Sequence, residues 1–498
     1  MVQCADDIGE IKKQAEQYRT MKFRVDRLTS DVSTNVHLAE SSRGVRASAS
    51  ERSPSMLALK LFQHLEREGV SYVVVGDSEN YFHEIAGDVD IVVDRNSLAK
   101  VKDILCRFCR QHQVRIVQIL QHEQTAWYFV LAWIDDTGRL RFLHPDICAD
   151  YLRLGKLFLK ADEILAGRTR WFDKEGRSFY TPAPTQRFIY YLLKKIDKCD
   201  LNDEQGRYLS SQWNRDAIAA GLQVRRFLPE REAELIAQAA ATNHWAPVRA
   251  NLPKLRRALR RGLPFSAKHF YQELRRKISR MLRPTGLLVA MLGADGAGKS
   301  TVLAQVEDDL APAYRRTKRY HLRPHFGRVT ADGPAVVAPH SKPPRGWLTS
   351  TVKLVMWWTD YTVGYFIYVL PWIIRSTLVL FDRYYYDLTV DSRRYRYGGS
   401  RWLAQLFGKL IPRPQLIILL DAPAEILQAR KQEVPIEETH RQQASYRALV
   451  GRFSDGHVVN AAKPLQEVVA QVNGVILDCM AKRTERRFGL TRNDDHGR

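Results

Sequence analysis

Gly293-Ala294-Asp295-Gly296-Ala297-Gly298-Lys299-Ser300, followed by Thr301, satisfies every fixed position of the pattern G-x-x-x-x-G-K-[ST]. The apolar run before it, Leu287 to Leu292, is short enough for a buried strand, and Val302 to Leu310 carries a helical apolar spacing. Strand, glycine loop and helix in succession turn backbone N–H groups inward and present the positive end of a helix to phosphate oxygens. Lys299 would reach the terminal phosphates of a nucleoside triphosphate, and the Ser300 hydroxyl would take a place on Mg²⁺. ATP and Mg²⁺ are the expected cofactors.

At 498 residues the chain is too long for one core, and two or three domains are expected. Its net charge of +22 calls for a partner of negative charge: nucleic acid, an anionic membrane surface or a phosphorylated small molecule. Six cysteines form no disulfide framework at this length, which suits a reducing compartment. Cys106 and Cys109 make an isolated C-x-x-C on a helical pattern, Leu98–Gln113, and read as two small apolar residues. The first 30 residues mix acids and bases without an apolar core, so no signal peptide is expected. Tyr361–Ile374, 14 residues without charge, is short for a membrane span and reads as a buried or interfacial helix.

Residues 1–55 are polar and expected to be disordered, with one helix near Ile8–Leu28, and Met56 is a conceivable natural start. Residues 56–183 read as an α/β domain and 184–251 as a helical appendage. Residues 252–284 form a basic amphipathic linker, in which 11 Lys or Arg between 252 and 283 face one acid, Glu273. Phe270, Leu274, Ile278 and Leu282 make one apolar stripe there. It could lie on an anionic membrane surface or brace a neighbouring domain.

Residues 285–482 alternate strands and helices: Thr317–Leu322, a Pro/Gly-rich loop from Pro324 to Arg345, a helix over Trp347–Ile374, then strands Thr377–Phe381 and Leu416–Leu420. Helices at Ala424–Gln432 and His440–Phe453 and a last strand at Gly474–Leu477 complete the set, with 483–498 as a tail. The fold class is α/β, a parallel sheet with helices on both faces. Asp382 closes an apolar strand, where the carboxyl ends of parallel strands line the ligand crevice. Arg383 beside it can neutralise phosphate charge.

In these residues the chain resembles the thymidylate kinase branch of P-loop kinases. Gly293–Thr301 follows that family's D-G-A-G-K-[ST]-T loop, and Asp382-Arg383-Tyr384 stands where it carries D-R-[YH]. Leu420-Asp421-Ala422-Pro423-Ala424-Glu425, running on to Arg430, is similar to its L-D-x-P-x-E stretch, and Arg323-Pro324 looks like a reduced R-E-P-G. The resemblance implies ATP-dependent phosphoryl transfer. Asp295 would lie near the transferred phosphate, and Lys299, Asp382 and Arg383 would be catalytic. Arg323, Arg383 and Tyr384 would stand on the acceptor side and Arg430 on the lid over ATP. A dimer is also consistent with it.

Tyr385-Tyr386-Asp387-Leu388 and Asp391-Ser392-Arg393-Arg394-Tyr395-Arg396-Tyr397-Gly398 depart from the family's base-reading stretch, and the R-E-P-G glutamate is absent. The acceptor site therefore reads as rebuilt, for a nucleotide, a phosphorylated sugar or a lipid-linked saccharide. The chain also resembles kinase-like proteins of bacterial surface-polysaccharide gene clusters, which implies a role in surface-polysaccharide metabolism as an expectation.

Val73-Val74-Val75-Gly76 and Asp88-Val89-Asp90-Ile91-Val92-Val93 look like the h-G-[GS] and D-h-D pattern of nucleotidyltransferases. Alternation puts Asp88 and Asp90 on one face, where paired carboxylates hold divalent metal, with Asp146 as a third. The serine of Gly76-Asp77-Ser78 falls one place late. The leading expectation is a kinase with a nucleotidyltransferase-like module that selects or modifies the acceptor, cytoplasmic or peripheral at the membrane's inner face. An ATP-binding scaffold without turnover is the alternative. A nucleic-acid end-processing enzyme ranks last, since no nucleic-acid module is recognised.

Overall fold

The structure, a computed structural model, describes residues 51–490 apart from 77, 79–80, 86, 325–342 and 433 and the side chain of 122. The helix expected at 8–28, the extension up to residue 50, most of the Pro/Gly-rich loop and the tail beyond 490 lie outside the described residues. Helix α1 (Pro54–Arg67) starts at Ser53, whose hydroxyl accepts the Met56 N–H at 3.3 Å, with Pro54 preorganising its first turn. Leu57, Leu61, Phe62 and Leu65 repeat on one face and are buried. Each contributes roughly 1.5–3 kcal/mol by leaving water.

The first sheet holds β1 (Tyr72–Val74), β2 (Val89–Val93), β3 (Arg115–Glu123), β4 (Ala126–Ile134), β5 (Leu140–Leu143) and β6 (Pro145–Cys148), with α2 (Arg95–Gln111) between β2 and β3. Its order is β1-β2-β6-β4-β3, with β5 on β4 and only β2–β6 parallel. Cys106 and Cys109 are buried on α2 with free thiols. Two hairpins follow, β7 (Tyr151–Arg153) with β8 (Lys156–Leu159) and β9 (Thr169–Phe172) with β10 (Ser178–Thr181), separated by α3 (Ala161–Leu165). Helices α4 (Pro184–Lys198), α5 (Asp203–Trp213), α6 (Ala217–Phe227), α7 (Glu230–Thr242) and α8 (Ala246–Gly262) then pack on one another. The boundary expected at 251/252 falls inside α8.

Helix α9 (Ala267–Leu282) faces the first sheet with its polar side rather than with its apolar stripe. It turns His269, Glu273, Arg276 and Arg280 inward, with Glu273 buried and paired to Arg276. Phe270, Leu274, Ile278 and Leu282 are 48–77% exposed. Among the described residues, only Phe270 of the stripe reaches the first half, beside Gly155, while Arg276 and the His269 carbonyl anchor the polar side through Gln121 and Gln124.

The second sheet is wholly parallel, in the order β12-β13-β11-β14-β15: β11 (Leu287–Leu292), β12 (Arg316–His321), β13 (Thr377–Asp382), β14 (Leu416–Asp421) and β15 (Gly456–Asn460). Helices α10 (Lys299–Leu310), α11 (Trp347–Gly364), α12 (Leu370–Ile374), α13 (Asp387–Val390), α14 (Arg401–Leu410), α15 (Ala424–Arg430), α16 (Ile436–Val450) and α17 (Leu465–Phe488) accompany it, and a π-helical turn over Tyr365–Val369 interrupts the long helical stretch. β11, β13 and β14 are buried on both faces, which requires helices above and below. The central strand β11 comes first in sequence and has β13 and β14 on its two sides, so a crevice opens at their carboxyl ends.

Two expectations are overturned. The strand at Gly474–Leu477 lies inside α17, where Val468, Val472, Ile476 and Met480 are buried at helical spacing. The fifth strand is β15 instead. The tail also begins later than 483, since α17 runs to Phe488 and Leu490 enters the core of the first sheet. α17 packs along β3, and Thr484 Oγ1 donates to the Val117 carbonyl at 2.8 Å. Val117, Val130 and Ala132 of the first sheet share one apolar cluster with β11 and α17. Among the described residues, no helix is long and apolar enough to cross a membrane.

Candidate active site

β11 ends at Leu292 and the chain turns through Gly293 and Gly296 before α10. Both glycines have positive φ, +150° and +84°, and a Cβ on either would come within 2.6 Å of a carbonyl oxygen, Leu420 or Leu427. No other residue fits the turn at those two places. Ala294 and Ala297 are buried beneath it, while Thr301 faces outward from the first turn of α10. The Lys299 ammonium donates to the carbonyls of Gly293 and Ala294, each at 2.9 Å. Burial, then the Arg383 charge, brings its pKa down to about 8.

Parallel register sets Met291, His321 and Asp382 side by side at the ends of β11, β12 and β13. Ser300 Oγ donates to Asp382 Oδ2 at 2.8 Å, and Arg319 Nη2 lies 3.3 Å from the same oxygen. Burial works to raise the Asp382 pKa. The neighbouring His321 ring, the Lys299 charge and the Ser300 hydroxyl outweigh it and hold the carboxylate well below its usual range. An anionic oxygen beside a hydroxyl is a hard-donor pair of the kind Mg²⁺ takes together with water and phosphate, so these two residues fit that ion. Arg319 and His321 escaped the sequence reading, and the register of β12 on β13 is what brings them in.

Arg383 has φ +73°, an uncommon conformation for a non-glycine, held as its N–H donates to the Met291 carbonyl at 3.0 Å. Its guanidinium reaches Asp387 at 3.1 Å and also binds Asp295 of the glycine loop. Arg394 binds the other oxygen of Asp295. Asp387 is itself buried and accepts from the Tyr446 hydroxyl at 3.0 Å. Loop, strand end and the 391–398 segment thus converge on one carboxylate.

The remaining expected residues are less central. Arg323 pairs with Asp360 at 2.6 Å and lies 5.4 Å from the Trp357 ring centroid. Arg430 ends α15 and donates to the Ala461 carbonyl at 2.9 Å. Tyr384, expected on the acceptor side, is buried against Tyr361, Phe381 and Tyr386, with its hydroxyl on the Pro412 carbonyl at 2.6 Å. It belongs to the core, because a phenol satisfied there has no donor left for a ligand.

The first sheet carries its own cleft of about 780 Å³, lined by Gly76, Asp88, Asp90, Asp146 and the Lys194 face of α4. Asp146 stands on β6, a strand the sequence reading did not see, as the register partner of Asp90. Lys194 Nζ lies 2.6 Å from Asp90, and the Tyr128 hydroxyl donates to Asp88 at 2.9 Å. Burial and then the Asp90 charge push the Asp146 carboxyl up to about 7, and its Oδ1 is buried without a hydrogen-bond partner. Among the described residues, no group of three His, Cys, Asp or Glu is spaced to hold a metal ion. The three expected carboxylates thus line one cleft, with an ammonium on Asp90 and a phenol on Asp88.

No family model matches the chain. It is 26% identical over 195 residues to a probable thymidylate kinase of Archaeoglobus fulgidus, across 38% of this chain and 94% of that one. It is likewise 26% identical over 223 residues to the thymidylate kinase of Xanthomonas campestris pv. campestris, across 43% of this chain and 92% of that one. Similarity to thymidylate kinases thus extends over about 40% of the chain. A solved thymidylate kinase from Ehrlichia chaffeensis aligns at 14% identity with a TM-score of 0.28, covering 39% of this chain and 100% of that chain. The fold assignment rests on the strand order and glycine loop rather than on that likeness.

Proposed function

We propose that the chain is an ATP-dependent, Mg²⁺-assisted phosphotransferase built on a thymidylate-kinase-like half. The observation that carries the reading is the meeting of Lys299, Ser300, Asp382, Arg383 and Asp295 at the carboxyl ends of β11 and β13. The glycine loop would cradle the donor phosphates, and Lys299 would leave its loop carbonyls for their terminal oxygens. Mg²⁺, held by Ser300 and Asp382, would supply charge neutralisation. Arg383 and Arg394 would grip the acceptor's anionic group once it displaces Asp295 from between them, and Arg323 would add a third cation on that side. Their work is positioning and electrostatic stabilisation.

The acceptor is a nucleotide or a sugar or saccharide phosphate, since a basic, tyrosine-rich segment stands where the family reads thymine. The nucleotidyltransferase-like half, residues 56–183, selects or modifies that acceptor without a preformed metal cage. Attachment to an anionic membrane surface through residues 252–283 belongs to the same reading, supported by the outward apolar stripe and basic flanks of α9. Incubation with ATP and a panel of nucleoside monophosphates, sugar phosphates and saccharide extracts, followed by mass spectrometry, tests it. One acceptor should gain 80 Da, about the mass of a phosphoryl group, in a reaction that Lys299→Ala abolishes. Absence of transfer across the panel, with ATP binding intact in the wild type, would leave the scaffold alternative standing.

A further inference from the structure

Among the described residues, the crevice between the two halves gathers four arginines along one wall. Arg283, on the segment leading into β11, and Arg483, Arg486 and Arg487 of α17 line one cavity of about 390 Å³, with Ile119 and Phe488 as its apolar wall. No acidic side chain is among the lining residues. Arg483 is anchored through the carbonyls of Gly286 and Thr285, at 2.8 and 2.6 Å, and retains further N–H donors. The Arg487 guanidinium lies 5.5 Å from the Phe488 ring centroid.

Like charges gathered in a partly buried place repel, and burial weakens the water that would screen them. Both effects are visible: burial first, then the Arg483 and Arg283 charges, lowers the Arg487 pKa. A solvated arginine face would instead spread its charges into water. The volume falls within the range of small-molecule sites, about 300–1,000 Å³, and guanidinium forks match phosphate oxygens. We propose that this crevice binds a small phosphate-bearing anion, gripped by Arg283, Arg483 and Arg487, with Phe488 against its apolar part. Bound there, the anion ties the segment entering the phosphate-loop strand to α17, over the Ile119 wall supplied by the first sheet. The site is separate from the glycine loop and does not depend on phosphoryl transfer.

Calorimetric titration of the full chain with inorganic pyrophosphate tests this, using the wild type, Lys299→Ala and Arg283→Gln/Arg487→Gln. The wild type should bind two equivalents and each variant one, the arginine variant keeping its ATP binding. A single equivalent that disappears in Lys299→Ala overturns the proposal, as does a second equivalent unchanged by the arginine substitutions. If the double variant fails to fold, the exposed Arg283→Gln alone serves in its place and should weaken that equivalent about tenfold, the worth of one charge-assisted contact. Phosphatidylglycerol vesicles provide a parallel arm. Arginine-dependent vesicle binding without pyrophosphate binding would assign the cluster to a lipid headgroup surface and overturn the small-anion site.

Discussion

Ser300 and Asp382 meet across 82 residues of chain, hydroxyl to carboxylate at 2.8 Å, at the point where the glycine loop faces the end of β13. Asp382→Asn keeps the shape and removes the negative charge. It should lower turnover roughly a hundred- to a thousandfold, the usual cost of one preorganised electrostatic partner, while the fold and ATP binding persist. Steady-state ATP consumption with a competent acceptor, beside a binding titration, would show this. An unchanged turnover number would remove Asp382 from the chemistry.

Lys299 provides a pH signature. Its folded pKa of about 8 lies below the ordinary 10.5, so between those values the unfolded chain holds the proton more often than the folded one. Stability from this group therefore rises as pH increases from about 8 to 10.5. ATP affinity should move the other way, falling as the ammonium is lost. Denaturant titrations at several pH values should lose this rise in Lys299→Met.

Asp146 has the opposite sign. Its carboxyl is raised from 3.8 to about 7, so the folded state holds its proton more firmly, and the contribution to stability is lost as pH climbs through 7. Asp146→Asn should raise the melting temperature at pH 8 and raise it less at pH 5, because the loss runs from 3.8 to about 7. A variant less stable at pH 8 would show that the carboxylate is needed in its charged form.

Gly296→Ala forces a side chain into φ +84° and against the Leu427 carbonyl. Strain of about 1–3 kcal/mol is expected, concentrated in the loop, so ATP affinity should fall more steeply than the melting temperature. Isothermal titration beside thermal denaturation separates the two.

Leu274→Glu/Ile278→Glu places two charges on the outward face of α9. Stability should stay within about 0.5 kcal/mol because neither residue is buried, while sedimentation with phosphatidylglycerol vesicles should drop sharply. Equal sedimentation would remove α9 as the lipid contact.

The residue order made some of this legible and hid the rest for definite reasons. Gly293–Ser300 could be read because each fixed position answers to a local demand of one turn. Asp382 could be read because an apolar run ends in it. Lys194 could not, since its partner Asp90 lies 104 residues away and only the packing of α4 on β2 joins them. β15 was missed because, of its five residues, only Val459 is buried, too little alternation to mark an edge strand. In α17 the β-branched and apolar residues from Val468 to Leu477 resemble a strand when read locally. Their helical spacing emerges only over the full 24 residues.

α17 begins beside the parallel sheet and delivers Leu490 into the core of the other half. A piece cut near residue 284 to isolate the kinase half would therefore carry away a plug belonging to its neighbour and bare Val117, Val130 and Ala132 to water. Neither fragment should be expected to behave as a free-standing protein, and an assay meant to assign one activity to each half is better done by point substitution in the intact chain.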